Sequence, residues 1–390
     1  MGISKSITKA MKDSSWIRAM FEEGEKLKRQ FGPNQIFDFT LGNPILEPPS
    51  QFKEELVKVC SSEIKGMHRY MTNSGYEFVR EEIAAYCKKN RGLPFSKDNI
   101  VMTVGAAGGL NVVFKSLLDP GDEVIVPNPY FVEFQFYIGN HGGVIKLVDT
   151  KDDFHLDVGK MEKAINKKTR AILINSPNNP TGVVYNEEEL KELAQVLRKR
   201  RDKGQRIFLI ADEAYKKLIY NGTVLPDVFR IYEDTIVVTC HSKDLGLAGE
   251  RIGYIAASPS ITNLGPLMDA MIFANRILGF INAPALIQRV VGKFQDVSVD
   301  IMEYQRRRDA IYDILVESGF EVSKPLGAFY IFPKSPIKDD IEFVRTLQKH
   351  HVLGVPGIGF GKAGYFRLAY CVEMDIIERS RPYFKEVLGR

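Results

Sequence analysis

The sequence predicts an α/β protein organised on a mainly parallel sheet, and two observations carry that reading. First, short and largely apolar runs recur through the middle of the chain: EVIVP at 123–127, VIKLV at 144–148, RAILIN at 170–175, IFLIA at 207–211 and TIVVT at 235–239. Such runs lack the polar alternation of a half-exposed strand and suit strands covered on both faces. Second, stretches of helical character fall between several of them, at 130–139, 157–168 and 186–201. That strand–helix rhythm implies right-handed crossovers between parallel neighbours. A length of 390 residues with ordinary globular composition leaves room for about two or three domains.

The charge balance removes several function classes. The 53 basic and 49 acidic side chains nearly cancel, leaving a net charge of +4. No nucleic-acid-binding or membrane-binding face is expected from that balance. The basic runs KKTR at 167–170 and RKRRDK at 198–203 read as solvated helix ends or loops. Cys60, Cys87, Cys240 and Cys371 are too widely spaced for a metal site or a disulfide framework. No metal is expected, and a reduced, cytoplasmic setting suits the chain. The opening MGISKSITKAMKDSSW has no long apolar core, so it does not read as a signal peptide. Its fit to the loose myristoylation pattern at Gly2 and Ser6 reads as chance. No run of about 20 apolar residues offers a membrane span.

From the N-terminus, residues 10–30 read as a helix ended by Phe31, Gly32 and Pro33. A strand-like run follows at 36–41, then a Gly42-Asn43-Pro44 turn. Pro49 to Ile64 reads as a helix, and Asn73 or Ser74 stands where it can cap another running to about Lys89. At 100–118 a short strand leads through small residues into an amphipathic helix. A junction of that kind leaves backbone N–H groups and the helix dipole available to an anion, although close helix packing also favours small residues. Residues 264–278 read as helical, and 283–315 as one long helix or two, closed by Gly319. FEVSKP and GAFYIFP read as short strands, 339–349 as a helix, and YFRLAY at 365–370 as a strand.

The chemistry concentrates at 234–257, EDTIVVTCHSKDLGLAGERIGYIA. Two apolar runs bracket a tight polar turn that carries Lys243, and Arg251 follows. An amine between strands, beside a second cation, suits a site that holds a polyanion and uses the amine as a nucleophile. Asn179 lies in SPNNPTG at the C-terminal end of a strand, where ligands gather in α/β sheets. Asp212 and Tyr215 follow IFLIA directly. Arg367 is a lone cation inside the apolar YFRLAY, and a buried arginine needs an anion. Its planar fork suits a carboxylate. Read alone, Asp212 is also compatible with a helix cap, and Lys243 with an ordinary surface lysine.

Five motifs, in order along the chain, carry a resemblance: PGDEVIVPNPY at 120–130, NSPNNPTG at 175–182, ADEAY at 211–215, SKDLGLAGERIGY at 242–254 and FRLAY at 366–370. Together they resemble the class I/II aminotransferases of the aspartate aminotransferase superfamily, fold-type-I enzymes that use pyridoxal 5′-phosphate. The resemblance implies a large cofactor-binding domain at 45–283 with a mainly parallel seven-stranded sheet between helices. It also implies a smaller α+β domain built from both chain ends, 1–44 and 284–390, with a long linking helix starting near 284.

At the site, the resemblance implies that Lys243 forms the Schiff base and then moves the α-proton. Asp212 would face the cofactor's ring nitrogen, Tyr215 and Asn179 its ring oxygen, and Tyr130 would stack on the ring. Gly105, Ala106, Ala107 and Arg251 would hold the phosphate, joined by Tyr70 from the partner subunit of a homodimer with active sites at the interface. Gly42, Asn179 and Arg367 would take the substrate's α-carboxylate. The implied reaction is transamination between an L-amino acid and a 2-oxo acid, with 2-oxoglutarate as acceptor. A C–S lyase, a decarboxylase or synthase, and a non-catalytic protein on the same fold are the alternatives. Two departures stand out. Cys240 replaces a phosphate-binding serine that some members carry just before the lysine. Ala107 replaces a lysine that one branch uses for a distal carboxylate, for which Arg18, Lys12 and Arg276 are candidate substitutes. His241 adjoins Lys243 but is read as a neighbour rather than a catalytic group.

Overall fold

A computed structural model describes the backbone of residues 2–13 and 15–389, and their side chains apart from those of residues 6, 12–13, 15–19 and 21. The apolar runs form one seven-stranded sheet. Its spatial order is Ile100–Thr103, Gly253–Ala257, Thr235–Cys240, Phe208–Asp212, Thr169–Asn175, Glu123–Asn128 and Val144–Asp149. All neighbours pair in parallel except Gly253–Ala257, which runs antiparallel to both strands beside it. The reason is the short link 241–252. It contains only a single 3-10 turn, Ala248–Glu250, and no crossover helix that would return the chain in parallel.

Both faces of six of these strands are covered, as their apolar runs require, whereas the edge strand Val144–Asp149 is largely exposed, with Val144 at 50% and Leu147 at 41%. Successive residues alternate between two cores. Ile172, Ile174, Leu209, Ala211 and Val237 enter one, while Ala171, Leu173, Phe208, Ile210 and Ile236 enter the other. Helices Glu77–Arg91 and Glu187–Asp202 contribute to the first core. Gly105–Leu117 and Leu264–Ile277 contribute to the second.

The chain ends build the smaller part. Phe37–Asp38 pairs in parallel with Val352–Leu353, so an N-terminal strand is completed by a C-terminal one. Tyr330–Ile331, Phe366–Ala369 and Val355–Pro356 form an antiparallel sheet. A third core gathers Phe37, Phe39, Phe329, Phe343, Phe366 and Leu368.

Several boundaries differ from the sequence reading. Helix begins earlier than expected at the N-terminus: Lys5–Asp13 and Ser15–Phe31 are helical on either side of residue 14, which lies outside the described residues. The strand expected at 36–41 keeps only two residues, because only Phe37 and Asp38 find a partner strand. Neither Asn73 nor Ser74 caps the next helix, which starts at Glu77. The Asn73 amide instead donates to the Ile281 carbonyl at 2.9 Å. Of the one long helix or two read at 283–315, the structure has two. Ala285–Val291 ends in a short 3-10 turn, and Ile301–Ser318 starts afresh. Asp300 provides the reason, since its carboxylate accepts from the Met302 N–H at 2.9 Å and the Glu303 N–H at 3.3 Å. FEVSKP forms no strand.

Candidate active site

The site is assembled at the C-terminal edge of the seven-stranded sheet. Asn175 and Asp212 end adjacent parallel strands and lie opposite one another in register. The Asn175 amide donates to the Asp212 backbone carbonyl at 3.0 Å, and its Oδ1 accepts the Asn179 N–H at 2.8 Å. One side chain therefore ties the NSPNNPTG loop to the sheet. Asn178 stiffens the same loop by accepting from the Thr181 N–H at 3.1 Å and the Thr181 hydroxyl at 2.8 Å.

A cavity of about 370 Å³ opens over this edge. Asn179, Asp212, Tyr215, Lys243, Arg251 and Arg367 all line it, as do Gly42, Ala106 and Ala107. Residues scattered through the sequence thus converge on one concave surface, where α/β sheets place their ligands.

Lys243 projects from the link between the antiparallel strands, and its Nζ donates to the Gly42 carbonyl at 2.9 Å. Burial lowers the pKa of its amine, and the Arg251 and Arg367 charges push the same way, against opposition from Cys240 and Cys371. Asp212 is buried, and among the described residues its carboxylate receives one hydrogen bond, from the Ala214 N–H at 3.2 Å. Burial pushes this carboxyl up to about 7. Tyr215 and Tyr330 share a hydroxyl–hydroxyl hydrogen bond of 3.1 Å at the cavity wall.

Arg367 is buried and has no carboxylate partner among the described residues. Its guanidinium donates to Asn179 Oδ1 at 3.1 Å and to the Thr40 carbonyl at 2.6 Å, and Nε has no hydrogen-bond partner among the described residues. The rings of Tyr330 and Phe360 flank it at 4.5 and 4.6 Å. Burial lowers its pKa. Gly42 is required beside it, because a β-carbon there would overlap the Tyr330 hydroxyl.

The small-residue junction also has the form of an anion site. Helix Gly105–Leu117 begins without a side-chain cap, so its first N–H groups are available. Gly105 has φ +76°, and a β-carbon on it would come within 2.8 Å of the Arg251 guanidinium. Glycine here lets a cation lie against the helix start. Arg251 is held by donating to the Ala248 carbonyl at 2.8 Å. Cys240 and Ser242 both line the cavity near this end, so a hydroxyl accompanies the thiol that stands in the serine position.

Two sequence expectations, Tyr130 and Arg276, are placed elsewhere. Tyr130 does not line the cavity. It is buried in the core, with its N–H on the Phe360 carbonyl at 3.1 Å, and the next residue, Phe131, reaches the cavity wall instead. Tyr70 is 86% exposed and lies outside the cavity of its own chain. Arg276 is exposed and stacks on Phe273 at 5.0 Å, away from the cavity. The side chains of Lys12 and Arg18 lie outside the described residues. His241 is buried behind the site. It accepts from the Gln295 amide at 3.2 Å and donates to Asp244 at 3.3 Å. Sequence reasoning missed Phe131, Asn175 and Tyr330. Asn175 alone carried a signal, as the last residue of a buried strand.

Comparison with known proteins agrees with this geometry. A family model described as aminotransferase class I and II matches residues 34–379. The chain is 34% identical over 355 residues to a probable aspartate aminotransferase of Methanocaldococcus jannaschii, spanning 89% of this chain and 92% of that protein. It is 31% identical over 352 residues to a probable N-acetyl-LL-diaminopimelate aminotransferase of Bacillus subtilis, spanning 88% and 87%. A solved amino transferase from Eubacterium rectale superposes with a TM-score of 0.96 at 35% identity, over 100% of this chain and 99% of that one.

Proposed function

The chain belongs to the class I and II aminotransferases, enzymes dependent on pyridoxal 5′-phosphate, and from that premise we propose how its own residues divide the work. The cavity suits the cofactor on structural grounds. It offers an amine, a buried carboxylate short of partners, and an uncapped helix start beside an arginine. When bound, the cofactor supplies an electron sink for the substrate's α-carbon.

In this proposal Lys243 anchors the cofactor and then carries the proton at the substrate's α-carbon. An amine whose pKa is lowered by burial and by two arginines gives up its proton more readily and is suited to act as a base. Asp212 keeps the ring nitrogen protonated, since a buried carboxylate is most stable beside a cation. Tyr215 and the Asn179 amide nitrogen donate to the ring oxygen. Arg251 and the helix start at Gly105, Ala106 and Ala107 hold the phosphate. Phe131, rather than Tyr130, covers the ring face. Arg367 forks the substrate's α-carboxylate, with Asn179 and Gly42 beside it. The exposed Tyr70 enters the site of a second copy, making the enzyme a homodimer. A cytoplasmic location and 2-oxoglutarate as the amino acceptor complete the reading.

The observation that carries this reading is the meeting of Lys243, Asp212 and Arg367 in one cavity. The deciding experiment follows the cofactor's absorbance in single half-reactions with alanine, aspartate, glutamate and phenylalanine. At least one should convert the cofactor to its amine form, and 2-oxoglutarate should reverse that change. Release of ammonia or carbon dioxide without such a cycle would replace transamination by a lyase or decarboxylase reaction.

A further inference from the structure

The cavity has one wall to which the roles above assign no contact with the substrate's side chain. Helix Glu133–Gly139 turns Glu133, Phe134 and Tyr137 into the cavity. Ala107 and Leu110 of helix Gly105–Leu117, together with Phe131, complete that wall. It is apolar except for the Tyr137 hydroxyl and one carboxylate, Glu133. Glu133 is half-buried and makes no side-chain hydrogen bond or ion pair among the described residues. The three cations of the cavity are engaged elsewhere: Lys243 on the Gly42 carbonyl, Arg251 on the Ala248 carbonyl, and Arg367 on Asn179 and Thr40. A carboxylate withdrawn from water without a partner is unfavourable in the free protein. Burial accordingly raises the Glu133 pKa. An unpaired charge that lines a ligand cavity is the signature of a group that meets its partner in the ligand.

We infer that Glu133 reads the far end of the substrate's side chain, favouring L-amino acids that end in a cation, such as lysine or arginine, over dicarboxylic ones. The inference rests on the transamination reading and sharpens its donor half. A cation at the end of the donor completes Glu133, whereas a distal carboxylate is repelled by it. Ala107 adds no cation to this wall, so nothing on it offsets the negative charge. Donor and acceptor share the cavity, so Glu133 also raises KM for 2-oxoglutarate relative to a neutral 2-oxo acid.

The test uses the cofactor-loaded enzyme and its E133Q and E133K variants. The ratio of kcat/KM for L-glutamate over L-lysine is measured in the half-reaction. Equilibrium binding of maleate, a dicarboxylate with no amino group to transfer, is titrated by the cofactor's spectrum. In the wild type lysine should react in preference to glutamate. E133Q should raise the glutamate-to-lysine ratio about tenfold and tighten maleate by a similar factor, and E133K should raise both further. E133Q decides alone where E133K does not fold. A ratio and a maleate Kd that stay within threefold of the wild type overturn the inference, including the case in which a second copy supplies a cation that silences Glu133. If no amino acid converts the cofactor in the wild type, the transamination reading fails and takes this inference with it. Ready conversion with an unmoved ratio removes Glu133 alone.

Discussion

Asp212 and Asp244 are both buried carboxylates near the C-terminal ends of neighbouring strands, yet their surroundings push them in opposite directions. Burial raises both. For Asp212 little opposes it, and the carboxyl is pushed up to about 7. For Asp244 the pull of His241, Lys217 and Lys216 overcomes burial and brings it down to about 2. Lys217 stands 3.1 Å from Asp244, and the Asp244 backbone carbonyl accepts the Val299 N–H at 2.7 Å. Two arginine sites, half-buried Arg91 and buried Arg367, repeat the contrast. Arg91 meets Glu213 at 3.0 Å and Asp227 at 2.6 Å, while Arg367 finds only neutral acceptors among the described residues. Charges that brace the fold are closed within the chain. Charges around the cavity are left open, and openness rather than burial marks the groups that wait for a ligand.

The largest expected effect comes from closing the open carboxylate. Asp212→Asn should cut turnover by about 10²–10³, the range for losing one preorganised electrostatic partner. It should also change how the cofactor-free protein responds to pH. The folded value of about 7 lies above the ordinary 3.8. Asp212 therefore contributes stability that is complete below about pH 4 and is lost as pH rises through 7. Thermal unfolding of the cofactor-free wild type should show a fall in Tm across that window that Asp212→Asn lacks. Equal slopes in the two proteins would mean that Asp212 is closed after all, by a partner the contrast does not include.

Opening the closed carboxylate should act on stability first. Asp244→Asn leaves Lys217 buried without its anion and weakens the His241 contact, at a cost of about 3–5 kcal/mol by the measure of broken buried pairs. The sign with pH is opposite to that of Asp212. A value depressed to about 2 gives stability that is present above the ordinary 3.8 and lost as pH falls through 2. Denaturant unfolding at pH 7 checks the size, and turnover per folded site should fall less than in Asp212→Asn. A larger loss of turnover than of stability would make Asp244 a positioning residue for Lys243 and dissolve the contrast.

The sequence made most of the sheet legible because its strands, the Val144–Asp149 edge apart, are covered on both faces, which writes an apolar run directly into the chain. The open charges were legible for a related reason. Asp212 ends such a run, Arg367 interrupts one, and Lys243 stands in the tight polar turn between two of them. What the sequence withheld depends on closure of the whole chain. Tyr330 and Gly42 meet only because the chain ends pack together. Glu133 reads as an ordinary charge at a helix start until the cavity wall is seen to leave it without a partner. The break within 283–315 was within reach, since Asp300 is followed three residues later by Glu303 in the pattern of a helix start.

The smallest expected effect separates two adjacent rings. Nothing local decides which of Tyr130 and Phe131 faces the cofactor, because both are aromatic and the choice is one of register. The fold turns Tyr130 into the closed core and Phe131 to the open cavity. The Tyr130 hydroxyl makes one long hydrogen bond, 3.5 Å to Gln135 Oε1, so Tyr130→Phe should cost less than about 1 kcal/mol. The cofactor's absorbance should not move. Phe131→Ala removes a ring from the cavity wall and should weaken cofactor retention by about 0.5–1.5 kcal/mol beyond the lost burial. Both are read by titrating cofactor-free protein with pyridoxal 5′-phosphate. If Tyr130→Phe shifts that titration and Phe131→Ala does not, the boundary between closed core and open cavity lies one residue away from where the fold draws it.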